Sequence, residues 1–226
     1  IYTFSEVSGK GIAMLEAAGI EVVTGILAEE CKALNKHFFA YHEQKRPHIT
    51  LKWAESHDGF IAPLAGKKVM LSNHYALTKV HQMRANHNAF LVGFQTALND
   101  NPLLSNRLWP IEQQPISIIL DPQHDLPTDL HVFEPNRRTI IFTKNHQHTI
   151  DHKQWIAIGE TFDLKEVITH LYHLGIQSVV VEGGSKTLQA FIDQQLWDEA
   201  LIFKTNTTIG EGVQAPSIHY TKFEQT

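Results

Sequence analysis

The sequence predicts an α/β protein with a largely parallel central sheet and helices on both faces. A continuous apolar run at 89–93 has the texture of a strand covered on both sides, and apolar-rich runs at 116–120, 139–143 and 178–182 read as further buried strands. Stretches with helical spacing and caps alternate with strands after residue 48, as a parallel sheet requires. With 226 residues, 42% of them apolar and 19% charged, the chain can pack one ordinary domain and a short extra piece.

Residues 9–19 read as a short helix closed by Gly19. Ile20, Val22 and Val23 suggest a brief strand, and 27–41 a second helix that Arg46-Pro47 breaks. From His48 the texture changes. Residues 49–54 predict a strand, followed by the turn signal His57-Asp58-Gly59. Asn73 is placed to cap a helix reaching about residue 84, with Val80 and Met83 facing inward. After the strand at 89–93, residues 96–101 turn away and Asn101-Pro102 ends that turn; the strand at 116–120 stops at Asp121-Pro122. Asp163 caps a helix to about 174, closed by Gly175. Beyond the strand at 178–182, Gly183-Gly184 opens a helix through 196, and 198–203 is a sixth strand. The expected boundary lies near Lys45, between a helical piece (1–45) and the α/β domain (46–226). A first residue Ile1 and a turn at Gly210-Glu-Gly212 shortly before Thr226 suggest a longer protein cut at both ends, truncated within the α/β domain at its C-terminus.

A net charge of −5 and a pI near 6.3 argue against nucleic acid or anionic membrane as partners. No window approaches the ~20 apolar residues of a membrane span, and no signal peptide is visible. A lone cysteine, Cys31, rules out an internal disulfide and fits a reducing cytoplasm; its helical setting predicts a buried or half-buried thiol. Fifteen histidines are scattered. His146, His148 and His152 lack acidic or cysteine partners at metal-ligand spacing, so 144–153 reads as a solvated loop and no metal is expected.

Ligands of open α/β sheets bind beyond the carboxyl ends of the strands. There Glu182-Gly183-Gly184-Ser185-Lys186-Thr187 offers glycines for close backbone approach, a helix N-terminus for a phosphate, and hydroxyl donors. A plain strand-to-helix turn is the other reading, since two glycines are a weak signal. Glu182 ends a run of valines, where a carboxylate needs a partner: ligand hydroxyls and N–H groups, or local backbone. Arg84 and Arg107 can grip a phosphate together, although each alone reads as a surface residue. Lys52 interrupts an apolar strand and calls for an anion or a hydroxyl-rich ligand; Asp58 is a turn former.

These residues belong to longer blocks. The stretch from Arg46 to Gly59, the block His81-Gln-Met-Arg84-Ala with Ala89 to Arg107, and Val181-Glu182-Gly183-Gly184 with Leu196-Trp-Asp198-Glu199 resemble, in order, the riboflavin-biosynthesis pyrimidine reductases. Gly9-Lys-Gly11, Ala18-Gly19-Ile20 and Asn35-Lys-His-Phe-Phe39 resemble the tail of the deaminase domain of the bifunctional deaminase/reductase. Its zinc motifs, His-x-Glu and Pro-Cys-x-x-Cys, are absent, so zinc would belong only to a deaminase domain outside this sequence.

The resemblance implies a dihydrofolate-reductase-like fold and NADPH-dependent reduction of 5-amino-6-(5-phosphoribosylamino)uracil to the phosphoribitylamino product. It implies Arg84, Leu104, Arg107 and Glu182 as substrate contacts, and Lys52, Asp100 and Glu182 at the reacting centre. Ala54, Met70, Thr96 and Asp100, with Gly183, Gly184, Ser185, Lys186 and Thr187, would contact the cofactor. Lys68-Val69-Met70 stands where many members have Ser-x-Trp, Pro122 replaces a usual serine, and Glu55 and His57 replace smaller or apolar residues, which leaves NADH open beside NADPH. A homodimer is expected from the same resemblance. Two alternatives remain at this point: a non-catalytic nucleotide-binding module, and a reductase of the same fold for another substrate such as a pterin.

Overall fold

The computed structural model describes residues 9–64, 69–135 and 137–219. It divides into two compact units, residues 1–48 with 168–177, and residues 49–167 with 178–226. The first unit contains α1 (Lys10–Ala17), α2 (Ala28–Leu34) and α3 (Lys36–Gln44). Gly19 does take the left-handed conformation just past α1, at φ 78°. The predicted strand at 20–23 does not form: Ile20 and Val23 are exposed, so no burial repays ordering them. The predicted helix at 27–41 is two helices, because Asn35 leaves helical geometry at φ −107°, ψ 25° and turns its side chain onto the Cys31 carbonyl at 2.9 Å. Cys31 is exposed rather than buried, since α2 buries none of its residues.

The second unit is built on an eight-stranded sheet in the order β6-β7-β5-β4-β3-β8-β1-β9. Its strands are β1 (His48–Glu55), β3 (Ala89–Gly93), β4 (Ile116–Leu120), β5 (Thr139–Thr143), β6 (His148–Ile150), β7 (Lys153–Ala157), β8 (Ser178–Gly183) and β9 (Glu199–Lys204). The recorded ladders are parallel except β6 against β7. All five residues of β3 and of β5 are buried, which a strand achieves only when both faces are covered. Val92, Ile119, Ile141, Phe133 and Trp155 join one core cluster; Met83, Phe90 and Val180 form another.

The remaining elements are β2 (Phe60–Pro63), α4 (His74–Asn86), α5 (Phe94–Asp100), α6 (Leu164–His173), α7 (Ser185–Asp193) and β10 (Gly212–Gln214). Asn73 caps α4 as predicted, accepting from the Ala76 N–H at 2.9 Å, and Val80 and Met83 are buried. Residues 96–101, predicted as a turn, lie within or just past the helix α5. The helix predicted through 196 ends at Asp193. The predicted loop at 144–153 contains the exposed edge strand β6 and its turn into β7, a strand also missed in the sequence although Trp155 and Ile156 are buried.

Two further strands missed in the sequence, β2 and β10, form an antiparallel ribbon. Its geometry depends on the turn at Asp58, whose carboxylate accepts from Ser56 Oγ at 2.6 Å and from the Ile209 and Gly210 N–H groups. The Ser56 hydroxyl, with those N–H groups and against a burial effect, lowers the Asp58 pKa from 3.8 to about 2. A depressed carboxyl stabilises the fold fully above the unfolded value and loses that contribution as pH falls through the folded one. Asp58→Asn is therefore expected to flatten the decline of stability between pH 3.8 and about 2. Urea midpoints measured from pH 5 to pH 2 check this; superimposable declines for both proteins would contradict it.

Candidate active site

Adjacent strands β8 and β1 and the last turn of α4 bring three charges together. Glu182, near the end of β8, receives Arg84 Nη2 at 3.0 and 3.4 Å and lies 3.7 Å from Lys52 Nζ. Their side chains are only 14% (Lys52), 12% (Arg84) and 11% (Glu182) exposed. Burial alone would raise the Glu182 pKa, but the Arg84 and Lys52 charges and the Arg84 hydrogen bond outweigh it and hold the carboxyl below its ordinary range. The cluster is thus two cations around one carboxylate, with a net positive charge. Lys52 Nζ also lies 5.6 Å from the Phe203 ring centre, and the Arg84 Nε is buried without a hydrogen-bond partner.

Arg84 reaches in the other direction as well, donating to the Ser105 carbonyl at 3.2 Å. Arg107 donates to the Ser105 hydroxyl at 2.8 Å, so the two predicted arginines meet around one serine. Leu104 precedes it at φ 47°, and its side chain enters the core at 1% exposure. Leu104, predicted as a substrate contact, thus has its side chain in the core and a bent backbone ahead of Ser105.

A second cluster lies where β3 and β8 give way to α5 and α7. A Cβ on Gly93 would collide with Thr187 Oγ1, and one on Gly184 would stand 3.0 Å from Thr96 Oγ1. Glycine at both places lets the two helix starts close on each other. Gly183, at φ 122°, occupies backbone space that side chains disfavour, and the Gly183–Gly184 peptide is cis. No side chain caps α7, and its first ladder bond runs from the Leu188 N–H to the Gly184 carbonyl at 3.0 Å. The N–H groups of Ser185, Lys186 and Thr187 precede that ladder. The Ser185 hydroxyl is used on the Gln214 carbonyl at 2.7 Å.

The other predicted residues are more dispersed. Ala54 is half-buried opposite Phe203 near the end of β1. Asp100 is the exposed last residue of α5, Lys186 is exposed on α7, and Met70 is 74% exposed ahead of α4. Among the described residues no group of three histidine, cysteine or acidic side chains is placed to hold a metal. His146 instead stacks on His124, and His148 on Trp155, with ring centres 4.0 Å apart in each pair.

Two residues of the site were missed in the sequence. Arg137 donates to the Leu103 carbonyl and to Ser117 Oγ, fixing the start of the 104–107 segment. Nothing in the sequence distinguishes it from its neighbour Arg138. His81 is buried under the same segment; its signal was the helical spacing to Arg84, three residues on.

The model of the RibD C-terminal domain matches residues 47–225. The chain belongs to the RibD C-terminal domain family. Among curated relatives, the riboflavin biosynthesis protein RibD of Aquifex aeolicus is 35% identical over 224 residues, covering 97% of this chain and 63% of the relative. RibD of Actinobacillus pleuropneumoniae is 36% identical over 190 residues, covering 79% and 50%. The chain thus spans less than two thirds of the length of either. The solved deaminase/5-amino-6-(5-phosphoribosylamino)uracil reductase of Thermotoga maritima superposes with a TM-score of 0.83 at 36% identity, over 92% of this chain and 59% of that one. Saccharomyces Rib7 shares the fold of this RibD C-terminal domain at a TM-score of 0.62 and 22% identity.

Proposed function

We propose that the chain reduces 5-amino-6-(5-phosphoribosylamino)uracil to its phosphoribitylamino counterpart in riboflavin biosynthesis, with NADPH preferred over NADH. The observation that carries this reading is Lys52, held with Arg84 around Glu182 at the carboxyl end of β8, just ahead of the glycine-lined start of α7. The uncapped α7 start, with N–H groups ahead of its ladder and no Cβ at Gly184, fits a dinucleotide pyrophosphate. Thr96, Thr187 and Ala54 would line that cofactor, with Asp100 and Met70 as further contacts. When bound, the dinucleotide supplies a hydride to C1′ of the opened ribosyl imine.

The protein's own residues provide alignment and a proton. Arg84 and Arg107 take the substrate phosphate, which would give Arg84 Nε the acceptor it lacks. Glu182 fixes Lys52 and accepts from pyrimidine or ribityl groups. Lys52 Nζ gives a proton to the imine nitrogen as the C1′=N double bond becomes a single bond, so hydride and proton together complete the reduction. The helical piece at 1–45 belongs, in this reading, to the end of a deaminase domain; a homodimer in the cytoplasm is part of the same proposal.

Lys52→Met removes the proton source and keeps the stem. Cofactor oxidation followed by nicotinamide absorbance, with the deaminated substrate generated in place, is expected to fall by about 10²–10⁴-fold. NADPH and NADH are compared in the same assay. Binding of dinucleotide without oxidation in the unmodified protein would favour a non-catalytic module, and oxidation only with a pterin would reassign the substrate.

A further inference from the structure

His81 is 3% exposed on α4, yet it is the direct support of a residue outside that helix. Its Nδ1 accepts the Arg107 backbone N–H at 2.9 Å. Three residues on, Arg84 holds the Ser105 carbonyl, so one helix face grips the 105–107 segment at two points. The segment needs such support: Leu104 enters it in the left-handed conformation, at φ 47°. An imidazole can accept at Nδ1 only as the neutral form that carries its proton on Nε2. Protonation would set an N–H against the Arg107 N–H.

The groups facing His81 oppose that protonation. Burial, then the cations of Arg84 on its own helix and Arg107 on the loop, lower its pKa, while Asn106 and Glu182 of β8 pull the other way.

We propose that His81 is the positioning residue for the phosphate grip of this site: as a neutral acceptor it fixes the Arg107 backbone, and its protonation in acid releases Arg107. The proposal rests on the reading that Arg107 binds the substrate phosphate. In consequence, His81 acts on substrate affinity more than on turnover, and acid weakens phosphate binding beyond what titration of the phosphate itself explains.

The test uses two substitutions. His81→Asn keeps an acceptor that does not titrate, and His81→Phe fills the space without one. Binding of ribose 5-phosphate is measured by calorimetry between pH 8 and pH 5, beside KM and kcat for reduction. Leaving the part-buried Arg107 N–H without its acceptor is expected to weaken binding and raise KM by about 5- to 100-fold in His81→Phe. His81→Asn is expected to stay within a few-fold of the unmodified protein at pH 8 and to lose affinity less steeply in acid. Equal impairment of both variants would assign His81 to packing alone and overturn the proposal, as would unchanged binding in His81→Phe. Parallel acid profiles of His81→Asn and the unmodified protein would overturn the release in acid. Arg107→Met separates this from the functional reading: if it binds ribose 5-phosphate normally, the phosphate assignment itself fails. If the variant pattern appears in binding while no cofactor is oxidised, the positioning role stands and the reductase reading falls.

Discussion

Glu182→Ala is expected to lose about 3–5 kcal/mol of stability, the cost of leaving buried charges without their partner. Lys52 and Arg84 would face each other across a gap, each at 14% exposure or less. Glu182→Gln should recover part of this, because the amide oxygen still accepts from Arg84 but offers no charge to Lys52. The deficit is pH-dependent, and its sign follows from the lowered pKa of the carboxyl. Its stabilisation is complete above the ordinary carboxylate range and is lost as pH falls through the lower folded value, so the alanine variant approaches the unmodified protein in strong acid. Chemical denaturation at pH 7 and pH 3 checks both parts. A loss below about 1 kcal/mol at pH 7 would mean that water reaches the triad freely, as at a surface ion pair.

Gly93→Ala tests the second cluster. The backbone at Gly93, φ −81° and ψ 164°, accepts any residue, so the penalty comes from the collision with Thr187 Oγ1 alone. Overpacking of this kind costs about 1–3 kcal/mol. Thr187→Ala removes the obstructing oxygen and leaves the position-187 Cβ 3.6 Å from the new methyl, an ordinary contact. The double variant Gly93→Ala, Thr187→Ala is therefore expected to regain most of the melting temperature that Gly93→Ala loses, a strongly non-additive result. Dinucleotide affinity should fall in Gly93→Ala, because the start of α7 must move to make room. Additive melting temperatures would place the strain elsewhere.

The central sheet was legible because its strands leave few alternatives. Runs such as Phe90-Leu91-Val92 and Ile140-Ile141-Phe142 are apolar on both faces, and their lengths suit strands better than helices. Edge elements were not legible. His148-Thr149-Ile150 and β10 are mostly exposed and β2 is only half-buried, so burial imposes no pattern on them, and pairing partners set by the fold decide their state. The opposite error came from Ile20, Val22 and Val23, whose local preference for a strand had no buried surface to act on. In the site, Lys52 and Glu182 stood out because a charge within an apolar strand demands an explanation. His81 and Arg137 did not: both serve backbone groups of the loop between α5 and β4, and no sequence pattern says where a loop will pass. Leu104 was located, but not its bend.

β8 lies in the sheet between β3 and β1, although it is made long after both. Glu182 follows its partner Arg84 by 98 residues, which a ribosome takes roughly 5–20 s to add. Until β8 is made, Leu91 and Val92 have no partner for that side of β3, and the two cations of the future site have no carboxylate. Non-local pairing of this kind slows folding. The strand that closes the middle of the sheet is also the one that carries Glu182, so pairing of the site's two cations with their carboxylate and completion of the core depend on the same segment.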